Sequence, residues 1–504
     1  MAEDHHHHHP DFVVGIAQGA RWTRAHQLHS DGECVPMFSV GHRDAGLRPG
    51  CVEHDPAELL DAMNQCLDYA GGAEGVALAF DSGMVIAWDA ETGAPLHNAI
   101  GPGDRRGAAL VADLTASDAA TWMRARTGQP LDAGLPAARL RWLLDHAPDA
   151  RALAASGRLR LGTWGSYVCA RLAGVCAMDV SAAARTGLMN LTTGQWDPEV
   201  CDLFGVPPDL LPGIRPSVAD FGVLPGARAP VVASVADRSA ALFGHGCHAA
   251  GQLAVSLEPD GQVLAAAGSS PPADAVDGLL RTVAWRIGAV TTCAVCATLG
   301  AAPAALDWAR NLGLFQSPRD LAHFEGASAL ERGIVFVPGL AGLDGPHGDA
   351  SATGLWIGMG PATSRTDLLR AVLEGIALRT AQIVAAIGEA LQLAPTVSLE
   401  GAPARSGYFC DFLARALDRT VIVPASPDPT GLGCAQLAFI GAGLGPLETL
   451  PPVPPPDRNA TPARPLDAAA LARFADAAGR AGGWRTARAA CGNAPARDTQ
   501  EHAT

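Results

Sequence analysis

Charge is what this sequence has little of. Only 17% of its 504 residues are charged, and acidic residues outnumber basic ones 51 to 36, for a net charge of -15. That balance argues against a surface for nucleic acid or anionic lipid, both of which favour basic faces. An apolar run long enough to span a bilayer is also missing. The N-terminus is acidic and His-rich and lacks the basic start and apolar core of a secretion signal. The twelve cysteines are scattered. Cys293 and Cys296 form the one C-x-x-C, and a zinc or redox role would need further ligands at suitable spacing, which are not close. Reduced, buried thiols in a cytoplasmic protein are the expectation. His5–His9 precede Pro10 and read as a tail, with at most loose affinity for transition metals.

What the sequence does have is apolar material. Hydrophobic residues make up 48%, enough for large cores and, at this length, for about two to four domains. Phe12–Ile16 and Arg24–His29 flank a turn at Gln18-Gly19, a hairpin pattern. Pro56–Ala70 reads as an amphipathic helix, Glu74–Asp89 as two short strands, and Ala138–Leu153 and Gly165–Leu172 as helices. Pro230–Val235 reads as a strand running into a helix at Asp237–Gly246. A second hairpin follows, Gln252–Leu257 and Gln262–Ala267 around Pro259-Asp260-Gly261. The strongest helix is Asp367–Leu391, where Leu369, Val372, Leu373, Ile376, Thr380, Ile383, Val384 and Ile387 recur at helical spacing. Val397–Leu399 and Val421–Val423 read as strands, and Gly407–Leu417 and Thr430–Gly443 as helices. Beyond Gly445, Pro451–Pro456 carries five prolines in six residues, too rigid and donor-poor for regular structure. The rest reads as one weak helix and then disorder. Two α/β halves that each open with a hairpin predict two domains with a cleft between them, a preferred place for small ligands.

The motifs along these halves carry a family likeness. Gly50–Pro56 (GCVEHDP), Thr92–Arg106 (TGAPLHNAIGPGDRR), Thr127–Asp132 (TGQPLD), Leu140–His146 (LRWLLDH), Arg185–Leu191, Trp196-Asp197 and Leu210–Ser217 (LLPGIRPS) occur in order. Ala240–Gly244, Gly342-Leu343, Leu373–Ala377 and the Thr430-x-Leu432-Gly433 helix continue the series. In this the chain resembles the FGGY carbohydrate kinases, the glycerol-kinase group most closely, from about Val13 to Gly445. The resemblance implies an α/β fold of two ribonuclease H-like (actin-like ATPase) domains with an interdomain cleft. Residues 1–10 are expected to be a His-rich tail, 11–247 the polyol-side domain, 248–447 the nucleotide-side domain and 448–504 a Pro/Ala-rich tail. The reaction implied is ATP-dependent phosphoryl transfer to a hydroxyl of a small polyol or sugar, with ATP and Mg²⁺ as cofactors if the protein is active and none otherwise. The expected partner is a small polyol or sugar, in a cytoplasmic protein that contacts neither nucleic acid nor membrane and could form a homo-oligomer.

Several positions depart from the family pattern. The first phosphate hairpin, D-x-G-T-T-x-x-R in the family, reads Ala17–Arg24 here; Gly19 and Arg24 match and inherit a nucleotide-contact role. Ala17 replaces the Mg²⁺-organising Asp, Ala20 and Arg21 replace both Thr, and Trp22 adds bulk. The second phosphate turn, G-T-G, aligns with Glu258-Pro259-Asp260. Pro259 has no N–H to donate, and two carboxylates repel a triphosphate; a solvent-exposed turn is the structural expectation. The adenosine-side motif D-G-G-x-x-x-N-N reads Glu400–Gly407, keeping Gly401 and losing the Asn pair. On the polyol side, Ser82-Gly83 stand where an Arg-Glu fork would bracket hydroxyls, and Gly134 where an aromatic wall is expected. Asp237 aligns with the family's general base; an Asp ahead of a helix also caps free N–H groups. Arg238 beside it is expected to lower its pKa. The sequence thus implies a glycerol-kinase-like protein with kinase activity weak or lost, the alternative being a non-catalytic pseudokinase that senses a metabolite or binds a partner.

Overall fold

The computed structural model describes residues 11–43, 50–258, 261–272, 278–300, 302–346 and 348–484. The His tract, Pro259, Asp260 and the polar segment 486–504 lie outside the described residues.

The first hairpin forms where expected. β1 (Phe12–Gln18) and β2 (Trp22–His29) pair antiparallel from Phe12–His29 to Gln18–Thr23. β3 (Cys34–Gly41) continues the meander on one side. β4 (Val76–Phe80) and β5 (Ala229–Ala236) join parallel on the other, so the sheet runs β5-β4-β1-β2-β3, with a short sixth strand, Val223–Leu224, antiparallel outside β5. Every residue of β4 is buried, as a parallel strand covered on both faces must be.

The second half repeats the plan. β6 (Leu253–Ser256), β7 (Gln262–Gly268), β8 (Leu280–Ile287) and β9 (Val290–Thr298) are antiparallel, while β10 (Thr396–Glu400) and β11 (Thr420–Val423) run parallel to β6. The order is β8-β9-β7-β6-β10-β11-β12, with β12 at Arg458–Ala460. Its inner five strands, β9-β7-β6-β10-β11, reproduce β3-β2-β1-β4-β5, three antiparallel strands and then two parallel ones. The expected α/β class and the two-fold duplication are both present.

Five helices bear on the cleft and the C-terminal core: α1 (Asp237–Gly244), α2 (Arg365–Ala390), α3 (Gly407–Leu417), α4 (Pro429–Gly441) and α5 (Ala468–Ala481). α2 starts at a capping box: the Asp367 N–H donates to Ser364 Oγ at 3.2 Å, and the Ser364 N–H to Asp367 Oδ2 at 2.9 Å. It is long and apolar enough to cross a membrane by composition, which corrects the expectation that no such stretch exists. Buried residues make up 83% of its apolar window, so it is the central helix of the C-terminal core. α4 begins with Asp428 as its cap, accepting from the Gly431 N–H at 2.9 Å, and Pro429 at its first position. Glycines let it approach the other half at backbone distance. A Cβ on Gly433 would stand 1.9 Å from the Ala240 carbonyl oxygen in α1, and one on Gly15 of β1 would stand 2.5 Å from the Ala435 nitrogen. One core, with Val13, Ala79, Val235, Phe243, Leu264, Trp285 and Cys434 among its members, is shared by both halves.

Other expectations need adjusting. The helix read over Ala138–Leu153 is two helices, Pro136–His146 and Ala150–Ala155, separated around Pro148, which disfavours helical geometry at Ala147. β3, β8 and β9 were not expected: Pro36, Arg281, Arg286 and the cysteines obscure their alternation. Cys293 and Cys296 both lie in β9, three residues apart. A strand's two-residue period sends them to opposite faces, and both are buried free thiols. The segment after Gly445, expected to be a tail, supplies the edge strand β12 and packs Phe474 and Ala477 of α5 into the C-terminal core. Pro451–Pro456 has no regular structure, as expected, and Pro452 lies against Gly32.

Candidate active site

The duplicated sheets leave a cavity of about 510 Å³ between the halves. One wall is the β1–β2 turn (Gly19, Ala20, Arg21, Trp22) with Ala17, Gln18 and Arg24; its floor includes Asp81, Pro102, Asp237 and Arg238. The opposite wall comes from β6 and β7 with Glu258, Glu400, Arg405 and the Pro427–Thr430 approach to α4. The side chains of Ala254 and Ser256, like those of Gln262 and Leu264, alternate along their strands and share the face that looks into the cavity. Leu253, Val255, Val263 and Ala265 occupy the other face, in the C-terminal core.

Asp81 and Asp237 meet through strand register. Phe80 and Ala236 are partners on the parallel strands β4 and β5, so the next residue of each chain leaves the sheet edge beside the other. Asp237 is the first residue of α1 and accepts the Arg238 N–H at 2.7 Å; it is not the residue ahead of the helix. Burial, and then the Asp81 carboxylate, push its pKa up to about 7 against the pull of Arg238 and Arg185. The expectation that Arg238 would lower this pKa is therefore corrected: its cation acts in that direction and is outweighed by burial and the like charge. Asp81 accepts the Gly83 N–H at 2.8 Å, so Ser82-Gly83 form part of its turn where the family's fork would stand. Asp81 was not anticipated from the sequence, although an acidic residue at the carboxyl end of a buried parallel strand, aimed at a cleft, is a recognisable signal.

Of the residues expected to touch nucleotide, Gly19 and Arg24 line the cavity and Gly401 does not. A Cβ on Gly19 would meet nothing within 4 Å, so this turn opens onto free space. Gly401 has φ +106°, and its Cβ would stand 2.7 Å from the Leu257 carbonyl carbon; here glycine is a requirement of backbone packing. Arg24 is tied by Nη1 to Asp428 Oδ2 at 3.1 Å, with His26 Nε2 3.7 Å from the same oxygen. Trp22 is 49% exposed; its ring lies over Gly41, and the Arg24 guanidinium sits 5.6 Å from its centroid. It borders the cavity rather than filling it. Glu258, the one described residue of the second turn, is exposed yet lines the cavity. Burial and Glu400 raise the Glu258 pKa, while Arg24, Arg21 and Arg405 lower it.

The chain contains no lysine. Every cation of the cleft wall is therefore a guanidinium (Arg21, Arg24, Arg238 and Arg405), a planar group suited to phosphate or carboxylate. In the N-terminal half, Arg139 is 1% exposed and donates from Nη2 to the Gly134 carbonyl at 2.7 Å and from Nη1 to the Gly101 carbonyl. Burial lowers its pKa to about 10, with Asp81 the first of the groups that oppose the fall. At the family's Mg²⁺-organising position this chain offers no ligand, which leaves Asp81 and Asp237 as the neighbouring carboxylates on the cavity that would hold the ion together with nucleotide phosphates. Ala17 has no ligand atom, and among the described residues no three His, Cys, Asp or Glu side chains come together to hold a metal.

Residues 12–244 match the N-terminal domain of the FGGY family of carbohydrate kinases, and residues 265–442 match its C-terminal domain. The chain belongs to the FGGY carbohydrate kinases. Among its relatives, the glycerol kinase of Rhodospirillum centenum is 35% identical over 486 residues, covering 93% of this chain and 97% of that one. The glycerol kinase of Citrifermentans bemidjiense is 33% identical over 451 residues, covering 86% and 91%. The fold agrees with solved structures. The glycerol kinase of Plasmodium falciparum, crystallised with ADP, superposes with TM-score 0.85 at 22% identity, covering 94% of this chain and 98% of that one. The xylulose kinase of Rhodospirillum rubrum gives 0.80 at 23% identity, covering 93% and 98%. The two halves are thus the two ribonuclease H-like domains of an FGGY kinase.

Proposed function

We propose that this FGGY protein is a cytoplasmic phosphotransferase that moves the γ-phosphoryl group of ATP to a hydroxyl of a small polyol or sugar, at a rate reduced by its altered phosphate turns. The observation that carries the reading is Asp237: a carboxylate at the floor of the interdomain cavity with its pKa pushed up to about 7. A general base is most effective with a pKa near the working pH. Its ionised carboxylate takes the proton of the acceptor hydroxyl. That oxygen forms the new bond to the γ-phosphorus, and the bond to the β-phosphate oxygen breaks, with its electron pair leaving on ADP. The remaining demands of phosphoryl transfer are positioning and charge, and Arg21, Arg238 and Arg405 are the cleft cations available to meet them.

A second reading, a non-catalytic relative that binds a metabolite or partner, has its own support. Glu258 and Glu400 put carboxylates on the wall facing the β1–β2 turn, and Arg24 is already held by Asp428.

Thermal unfolding with ATP and ADP, each with and without Mg²⁺, tests the proposal. A ligand of the folded state stabilises by RT ln(1 + [L]/Kd), about 2.7 kcal/mol at a hundredfold excess over Kd. A saturable shift followed by phosphorylation of a polyol or sugar is the expected result. No shift at millimolar nucleotide favours the second reading.

A further inference from the structure

A short strand, Ala177–Asp179, runs into the helix Val180–Arg185. Asp179, 1% exposed, caps that helix: Oδ1 accepts the Ala182 N–H and Oδ2 the Ser181 N–H, each at 2.9 Å. Capping needs no more than this, yet two hydroxyls also reach Oδ2, those of Ser181 and Ser217, both at 2.8 Å and both fully buried. An ionised carboxylate only accepts, so each hydroxyl points its proton at Asp179 and is left as an acceptor for a further group. Ser181 Oγ accepts the Ala236 N–H at 2.8 Å. Ser217 Oγ accepts the Arg286 N–H at 3.1 Å. Ala236 ends β5 and is bonded directly to Asp237, while Arg286 lies in β8 of the C-terminal half. The Ser217 backbone repeats the bridge: its N–H donates to the Arg286 carbonyl and its carbonyl accepts the Ser234 N–H, each at 2.9 Å. One buried carboxylate therefore orients two hydroxyls, one holding the peptide ahead of Asp237 and the other holding the opposite half. Neither Asp179 nor either serine lines the cavity, so whatever they do for the reaction they do through other residues.

We propose that Asp179 is a positioning residue for the phosphoryl transfer: through Ser181 it fixes the peptide that carries Asp237, and through Ser217 it ties that peptide to β8 of the C-terminal half. This rests on the kinase reading, with Asp237 as the base, and deepens it. A base must stand within hydrogen-bond reach of the proton it takes, and a misplacement of about 1 Å can cost roughly a hundredfold in rate. Asp179→Asn keeps the shape and breaks the logic. One end of an amide is itself a donor, and it would face either the Ala182 N–H or the Ser181 and Ser217 donors now on Oδ2. Ser181→Ala is the smaller change and cuts the link to Ala236 alone. The bland alternative is a helix cap that serves stability only. It predicts losses that do not depend on whether Asp237 carries a carboxylate.

The test is steady-state kinetics on the full chain with ATP, Mg²⁺ and glycerol, xylitol, ribitol, xylulose or glucose as acceptor. Asp179→Asn and Ser181→Ala are each made alone and combined with Asp237→Asn. Both single variants are expected to lower kcat roughly tenfold to a hundredfold and to leave the KM for ATP and for acceptor close to wild type, as loss of an interaction that counts only in the transition state requires. In the Asp237→Asn background the same changes are expected to leave the residual kcat where it is, because the group they act through is gone. Ser181→Ala carries the test alone if Asp179→Asn does not fold. The proposal is overturned if Ser181→Ala keeps the wild-type kcat, if it raises KM with kcat intact, or if it lowers kcat by the same factor with and without the Asp237 carboxylate. Wild type that turns over while Ser181→Ala matches it removes this proposal and leaves the kinase reading. Wild type that forms no phosphorylated acceptor removes both.

Discussion

Asp81 and Asp237 leave the edge of the N-terminal sheet side by side, one residue beyond the register pair Phe80–Ala236. Their proximity sets the pH range of the proposed reaction. With its pKa pushed up to about 7, Asp237 serves as a base only as pH rises through that value. Replacing Asp81 by Asn removes the like charge, so the Asp237 pKa falls. The acidic limb of the kcat/KM profile is expected to move to lower pH in Asp81→Asn. A profile unchanged from wild type would mean that the two carboxylates do not interact.

Asp237→Asn is expected to reduce kcat by about a hundredfold to ten-thousandfold, the usual contribution of a general base, while nucleotide binding persists. The same variant has a stability signature. Asp237 holds its proton more tightly in the folded state than its ordinary pKa of 3.8 allows, so wild-type stability falls as pH rises from about 4 to about 7. The Asn variant lacks that loss. Thermal unfolding in mildly acidic and mildly alkaline buffer should show the variant gaining on wild type at the higher pH.

Restoring the family's phosphate turns should recover nucleotide affinity. Ala17→Asp combined with Glu258→Gly, Pro259→Thr and Asp260→Gly supplies the missing carboxylate, hydroxyl and N–H and removes two negative charges. A tighter ATP dissociation constant by calorimetry is the expected outcome. No gain would locate the obstruction elsewhere on the hairpin, with Trp22 the first residue to change.

Two glycines separate packing from ligand approach. Gly433→Ala forces a Cβ onto the Ala240 carbonyl and is expected to destabilise the protein by about 1–3 kcal/mol or more, read by denaturant unfolding. A Cβ on Gly19 meets open space, so Gly19→Ala should leave stability close to wild type and weaken nucleotide binding, because phosphate needs that space. Equal stability losses in the two variants would contradict this division.

The sequence carried most of the architecture because strands and helices are written in local periodicity. β1, β2, α2, α3 and α4 are legible that way, and the two hairpins signal the duplication. β9 was not, because its cysteines drew attention as a motif while their spacing placed them on opposite faces of a strand. The site was less legible. Asp237 was identified by likeness, but its pKa depends on Asp81, which is 156 positions away in the chain and adjacent only through sheet register. Gly401 matches a nucleotide motif, and the structure adds a close backbone approach to Leu257 that itself requires glycine.

The most direct test is to incubate wild type and Asp237→Asn with ATP, Mg²⁺ and a panel of polyols and sugars, and to measure ADP and phosphorylated acceptor together. A kinase with Asp237 as its base predicts acceptor-dependent ADP formation matched by product in wild type and its near loss in Asp237→Asn, with the nucleotide-induced shift in unfolding temperature retained in both. Product formed equally by both proteins, or by neither while nucleotide leaves the unfolding temperature unchanged, would contradict it.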